Sequence, residues 1–209
     1  MEQIAALQEV PDSELVSRIL QGEKKLFEVI IRRYNQRLYR IGMSVLNDET
    51  EAEEAMQAAY IKAYEHLTQF EHRSTFITWL TRILLNQCYE QKRKRSQGQT
   101  IPEHNLINMK TPDHVLVNKE LSGVLESAIA GLPEKYRLVF MLREIESLSV
   151  RETSEVLHVE EANVKVRLNR AKTMLRETLN GYMKDHVYHF HLSKCDRIVD
   201  HVMHYLKIA

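Results

Sequence analysis

The chain has 209 residues, enough for one ordinary domain or two small ones, and 44% of them are hydrophobic, so a buried core can form. Its 29 basic and 29 acidic side chains give a formal net charge of zero, which argues against a protein that holds nucleic acid by charge alone. Two cysteines exclude a disulfide-stapled secreted fold and fit a reducing compartment.

The sequence offers no export or membrane signal. The first residues, MEQIAALQEVPDSE, lack the basic and apolar regions of a signal peptide, and no apolar run approaches the length of a membrane span. Six glycines and four prolines favour a mostly helical structure. We therefore expect an all-α, cytoplasmic protein without a membrane partner.

The first half of the chain predicts two helices that meet near Asn47. Apolar positions of the first helix step by three or four along the chain: Phe27, Ile30, Tyr34, Leu38, Ile41 and Val45. The second helix can be capped by Asp48, and it opens with the polar residues Glu51, Glu53, Glu54 and Gln57. Such an acidic first turn suits a cationic partner, and it equally suits the dipole of its own helix.

A third predicted helix carries two different stripes. Leu80, Ile83, Leu84 and Cys88 form an apolar core face. A second stripe steps three, four, three and four residues through Trp79, Arg82, Asn86, Tyr89 and Arg93. Aromatic rings interleaved with cations are typical of surfaces that stack unpaired bases and follow phosphates. The alternatives are a core tryptophan and a solvated basic helix end.

Residues 96–112 show neither helical nor strand periodicity and read as a flexible linker. The predicted architecture is therefore two small helical domains, 1–95 and 113–180, joined by that linker and followed by an extension, 181–209. No internal repeat and no low-complexity segment interrupts this order.

Residues 149–179 predict a helix-turn-helix. Ser149 and Glu152 form a capping box at its start. The second helix has one apolar stripe: Val164, Leu168, Ala171, Leu175 and Leu179. Its other positions are polar or cationic and include Asn163, Lys165, Arg167, Asn169, Arg170 and Lys172. Such a helix suits a DNA major groove, although a solvated basic helix has the same pattern.

Residues 132–179 resemble the C-terminal promoter-binding domain of extracytoplasmic-function (ECF) sigma factors of bacterial RNA polymerase. The matching positions are Arg137, Leu138, Val139, Phe140, Leu142, Glu152, Thr153, Asn163, Val164, Lys165, Arg167, Leu168, Arg170, Ala171 and Leu175. The resemblance extends over roughly residues 12–180. Two departures lie at the turn, where His158 replaces the family's usual glycine and Glu160 its usual serine cap.

The resemblance implies a role for each polar surface. In the family, the acidic start of the second helix binds the clamp coiled coil of core RNA polymerase, which here implies Glu51, Glu53, Glu54 and Gln57. The segment with Trp79, Arg82, Asn86, Tyr89 and Arg93 would bind and melt the −10 element. The residues Asn163, Lys165, Arg167, Asn169, Arg170 and Lys172 would contact the −35 element.

The implied partners are core RNA polymerase (clamp coiled coil and flap), promoter DNA, and an anti-sigma or other regulatory protein. No enzymatic reaction and no cofactor are implied. Two other interpretations compete with this one. A stand-alone helix-turn-helix regulator would bind DNA tightly without polymerase. A zinc-dependent enzyme would use the histidines of the extension, but the chain has no H-E-x-x-H signature.

The extension, 181–209, lies outside the resemblance. Its alternating residues Tyr188, Phe190 and Leu192 suggest an extended segment, and a short helix is expected with the apolar face Ile198, Val199, Val202, Met203 and Leu206. His189, His191 and Cys195 are candidate metal ligands, but their spacing fits no established zinc pattern. We expect the extension to pack on the second domain or to dock a partner, without metal.

Overall fold

The computed structural model describes residues 9–96, 116–186, 197–199, 201–203 and 205, with the side chains of 116–121 and 183–186 excepted. Every regular element among these residues is a helix, which confirms the all-α fold class. None of these helices is both long and apolar enough to cross a membrane.

The first helical unit consists of α1 (Asp12–Leu20), α2 (Phe27–Leu46), α3 (Glu49–Glu65) and α4 (Phe76–Ser96). Asn47 ends α2 in a left-handed conformation with φ 54°, and the Asp48 side chain then accepts a 2.9 Å hydrogen bond from the Glu51 N–H. This confirms the predicted cap.

Small residues let the helices of the first unit approach closely. α3 directs toward the core a row of alanines, each fully buried: Ala52, Ala55, Ala59 and Ala63. A Cβ built on Gly42 of α2 would lie 3.4 Å from the Ala52 Cβ, so a larger side chain at either position would push the two helices apart. Asp12 connects α1 to α2 by accepting hydrogen bonds from Arg33 and Tyr34.

The second helical unit consists of α5 (Leu116–Ala130), α6 (Glu134–Phe140), α7 (Val150–Leu157) and α8 (Glu161–His186). A π-helical turn, Met141–Ile145, continues α6. The capping box of α7 is present: Glu152 N–H donates to Ser149 Oγ at 3.1 Å, and Ser149 N–H donates to Glu152 Oε2 at 2.8 Å. The unit has a small core of its own, formed by Ala128, Leu132, Tyr136, Ala171 and Leu175.

The two units are packed against each other. Leu138, Leu142, Leu148 and Val156 of the second unit belong to the same buried cluster as the core of the first unit. The sequence predicted two helical units and gave no indication that they touch. Apart from Ser96, which ends α4, the predicted linker lies outside the described residues.

The described part of the extension agrees with the predicted helix, and its apolar side chains are exposed. Residues 197–199 and 201–203 are helical. Their apolar side chains are 39–51% exposed: Ile198, Val199, Val202 and Met203. The expectation that the extension packs on the second domain or docks a partner stays a prediction. Tyr188, Phe190, Leu192 and Leu206, and the metal candidates His189, His191 and Cys195, lie outside the described residues.

Candidate functional site

Helix α8 is anchored on one side and polar on the other. Val164 and Ala171 are fully buried, and Leu175 is nearly so. The exposed residues around the opposite side are Asn163, Lys165, Asn169, Arg170 and Lys172. Arg167 is only half-exposed, because it lies at the edge of this surface rather than at its centre.

Two cations of this surface have partners inside the second unit. Arg170 Nη1 donates to the Tyr136 hydroxyl at 3.2 Å, and Lys172 Nζ lies 2.9 Å from Glu144 Oε1. Tyr136 is itself a buried core residue. These contacts orient the two side chains before any ligand is bound, which lowers the conformational entropy lost on binding.

The turn before α8 is tight because His158 adopts a left-handed conformation, with φ 52° and ψ 45°. His158 therefore adopts the conformation that the family's usual glycine would adopt at this position. A residue with a Cβ pays a conformational cost there that glycine avoids.

We expect His158→Gly to raise the free energy of unfolding by about 1 kcal/mol, because glycine reaches this conformation without strain. Urea denaturation followed by circular dichroism measures the change. His66→Gly is the control, since His66 has an ordinary φ of −104° and glycine there relieves no strain; it increases the freedom of the unfolded chain and removes the exposed 3.2 Å contact between His66 Nδ1 and Gln69 Nε2. Equal destabilisation by both substitutions would contradict the prediction.

Helix α4 exposes most of its second stripe. Arg82, Asn86 and Arg93 are exposed, and Tyr89 is 45% exposed. Trp79 differs, because its ring is half-buried. It lies in an aromatic cluster with Phe70 and Phe76, whose ring centroids are 5.4 Å and 5.5 Å from its own.

Tyr89 of the α4 stripe lies in a charged environment. Partial burial and the neighbouring Glu134 carboxylate raise the pKa of Tyr89, whereas the Arg167 guanidinium acts in the opposite direction. Glu134 also forms an ion pair with Lys92 of α4, which brings this part of the second unit to the helix that carries Tyr89.

The carboxylates at the start of α3 are not equivalent. Glu53 and Gln57 are exposed and one helical turn apart on the same face. Glu54 is half-buried. The Glu51 side chain is only 14% exposed and lies 3.4 Å from Arg95 Nη1 at the basic end of α4. Glu53 and Gln57 are therefore the members of this set that a partner reaches most easily.

Two family models match the chain. The model described as sigma-70 region 2 matches residues 30–97, and the model of sigma-70 region 4 matches residues 122–175. A relative, the ECF RNA polymerase sigma factor SigW of Bacillus subtilis, is 30% identical over 176 residues, which are 78% of this chain and 94% of SigW. The chain belongs to the ECF sigma factors of RNA polymerase.

Other comparisons agree. The RNA polymerase sigma-H factor of Pseudomonas aeruginosa is 27% identical over 188 residues, 83% of this chain and 96% of that protein. The solved structure of CnrH, in complex with the cytosolic domain of CnrY, covers 81% of this chain and 97% of its own with a TM-score of 0.60. At 24% identity this likeness concerns the fold.

The family assignment makes the chain an alternative sigma factor, which directs RNA polymerase to promoters. Sigma factors are initiation factors rather than enzymes. The interpretation as a stand-alone helix-turn-helix regulator is not favoured, because the match includes region 2 as well as the helix-turn-helix.

Two exposed apolar residues of this sigma factor were missed in the sequence. Val166 is 49% exposed and lies between two cations of the α8 surface, and Ile61 is 60% exposed one turn after Gln57 on α3. An apolar side chain in a major groove can contact the methyl group of thymine. The sequence does contain a sign of this exposure, because Val166 and Ile61 each lie outside the apolar stripe of their helix.

Proposed function

We propose that α8 of this sigma factor binds the −35 element of promoter DNA. The observation that carries this assignment is the outward surface of α8, where amide and guanidinium groups stand on a helix fixed by a buried stripe and a tight turn. Arginine pairs with guanine and asparagine with adenine through two hydrogen bonds each. Lysines at the edges of the same surface are suited to phosphates.

The α4 stripe is proposed to bind melted −10 DNA. Arg82 and Arg93 provide charge for the phosphates, and the exposed Tyr89 ring provides a flat surface for a base. In this proposal Trp79 contributes to DNA binding indirectly, by supporting other aromatic rings. Its ring supports the aromatic cluster with Phe70 and Phe76, from which one edge remains accessible.

The start of α3 is proposed to bind the clamp coiled coil of core RNA polymerase, with Glu53 and Gln57 at the centre of the contact. Region 2 then corresponds to the proposed domain 1–95, and region 4 to 113–180. The sigma factor acts in the cytoplasm with the polymerase and carries out no reaction itself. Because its formal net charge is zero, it forms a specific promoter complex only when the polymerase is present.

Run-off transcription with purified core polymerase and a linear promoter template tests this function. Specific initiation should require the sigma factor, the polymerase and both promoter elements. Sequence-specific binding by the free protein at nanomolar concentration and physiological salt would instead support the stand-alone regulator.

We expect Tyr89→Ala to reduce promoter opening about tenfold, since stacking a base on an aromatic ring is worth ~1–3 kcal/mol. Permanganate footprinting of the −10 region measures opening directly. Tyr89→Phe keeps the ring and should behave like the wild-type protein. A pre-melted −10 bubble should restore most of the lost transcription, and a defect of equal size on that template would contradict a role in melting.

A further inference from the structure

The second unit has an open groove between α5 and α8. Its lining is mostly apolar and is formed, from α5 and then from α8, by Gly123, Val124, Ala128, Thr178, Leu179 and Tyr182. The volume of the groove is about 740 Å³, which is large enough to take up several aliphatic side chains. A Cβ built on Gly123 would meet nothing within 4 Å outside its own stretch of helix in the described structure, so the α5 side of the groove is open.

The groove is continuous with the small core of the second unit. Ala128 lines the groove and is also one of the five buried residues that form this core in the described part of the chain. Leu179 lines the groove as well and packs against the same core. A small core buries little apolar surface and is correspondingly marginal in stability. An apolar segment in the groove would therefore enlarge this core and stabilise the second unit.

The helix of the extension carries an exposed apolar face. Residues 197–199, 201–203 and 205 are helical. Their apolar side chains lie on one face at helical spacing and are 39–51% exposed: Ile198, Val199, Val202 and Met203. Isolated helices shorter than ~12–15 residues are marginal in water, and isoleucine and valine are only moderate helix formers. This short helix is therefore expected to need a surface that covers its apolar face.

The connection between the two surfaces is long enough to bring them together. Helix α8 ends at His186, and ten residues, 187–196, connect it to the helix of the extension. Ten extended residues span up to about 35 Å. The α8 residues that line the groove lie only about 6–12 Å before His186, at 1.5 Å per residue. The apolar face, 198–203, and the α5 side of the groove, 123–128, each span about 7.5 Å along their helix, so their lengths match.

We propose that the helix of the extension docks in the groove between α5 and α8 as a fifth helix of the second unit. The structure shows both surfaces exposed, and docking removes both from water in one step. The extension belongs to the same chain, so its local concentration at the groove is far higher than that of a separate partner. The α8 side of the groove begins at Thr178, six positions after Lys172, so the docked helix leaves the outward surface of α8 free for DNA.

A photoreactive amino acid in the extension tests the docking. Tyr205 is 80% exposed and lies on the same side of its helix as Val202, so the aromatic residue p-benzoylphenylalanine can replace it conservatively. After irradiation of the full chain, mass spectrometry should show position 205 joined to residues 123–128 or 178–182 within one monomer. Crosslinks to another part of the chain, or none, would overturn the proposal. Covalent dimers joined at the groove would overturn it as well, because a second copy of the chain would then be the occupant.

Gly123→Leu tests the groove, because the new side chain fills the space that the extension would occupy. The yield of the crosslink should fall at least tenfold. Gly181→Leu is the matched control, since a Cβ at Gly181 also meets nothing within 4 Å but Gly181 does not line the groove. Both variants replace a helical glycine by leucine, so both gain the same helix propensity. The control should crosslink like the unsubstituted chain, and equal yields from the two variants would show that the groove is not the docking site.

Val202→Ser tests the apolar face of the extension. Serine and valine have similar helix propensities, so the substitution mainly removes apolar surface from the contact. The crosslink yield should fall about tenfold, because the docked state loses a buried valine side chain. Arg197→Ser makes the same replacement at an exposed position on the opposite face and should keep the yield. An undiminished yield in Val202→Ser would contradict docking through this face. These measurements use the free protein without DNA or polymerase, so their outcome is independent of the proposed function.

Discussion

Replacing Arg167 and Arg170 together with alanine is expected to lower specific transcription about 100-fold or more, because each arginine contact to DNA is worth ~1–3 kcal/mol. Both side chains belong to the α8 surface, Arg170 on its outward face and Arg167 at its edge. Run-off transcription from a linear template with an intact −35 element measures the loss. Normal transcription by the double variant would contradict the assignment of α8.

Two further variants separate DNA contact from folding. Arg170 also donates to the Tyr136 hydroxyl, so its removal affects the second unit as well as the DNA surface. Tyr136→Phe removes the hydroxyl that accepts this hydrogen bond but keeps the buried ring, so it should retain most of the activity. Arg167→Lys with Arg170→Lys keeps both charges but not the forked geometry of guanidinium, so it should bind phosphates yet discriminate poorly among −35 sequences.

Local patterns predicted the elements of this site well. The stripe containing Val164 and Ala171 is buried as expected, because a helix that packs on one side repeats its apolar residues with its own period. The capping box of Ser149 and Glu152 was also correctly predicted. Each of these features depends on residues that are three or four positions apart, and such spacings are visible in a sequence.

The packing of the two units was not predictable in this way. Glu146 is separated from Arg37 by 109 positions and from Arg40 by 106, and nothing in the sequence pairs them. The same limit applies at the start of α3, where Glu51, Glu53 and Glu54 look alike in the sequence. They differ only in the folded structure, where α4 brings Arg95 to Glu51 and leaves Glu53 exposed.

The extension shows a different limit. Its apolar spacing correctly predicted a helix, but a stripe does not identify what it packs against. Val199 and Val202 are 50% and 45% exposed, so the face exists without a partner among the described residues. Apolar residues at helical spacing indicate that one face of a helix can be buried. Which surface covers that face depends on the tertiary structure, and the spacing does not indicate it.

Glu53→Lys combined with Gln57→Lys should weaken binding to core polymerase about 100-fold, since like charges brought together in an interface cost several kcal/mol. Both residues are exposed on one face of α3, so neither change disturbs the core. Fluorescence anisotropy of labelled sigma factor titrated with core polymerase measures the affinity.

Glu65→Lys is the matched control for this substitution. It reverses the same charge on the same helix, but at the opposite end, roughly 18 Å from Glu53 at 1.5 Å per residue. Because the net charge rises in both proteins, by three units in the double variant and by two in the control, a general electrostatic effect on the polymerase would appear in both at similar size. Selective loss in the Glu53 and Gln57 variant therefore assigns the contact to the start of α3, and equal loss would show that no specific contact is made there.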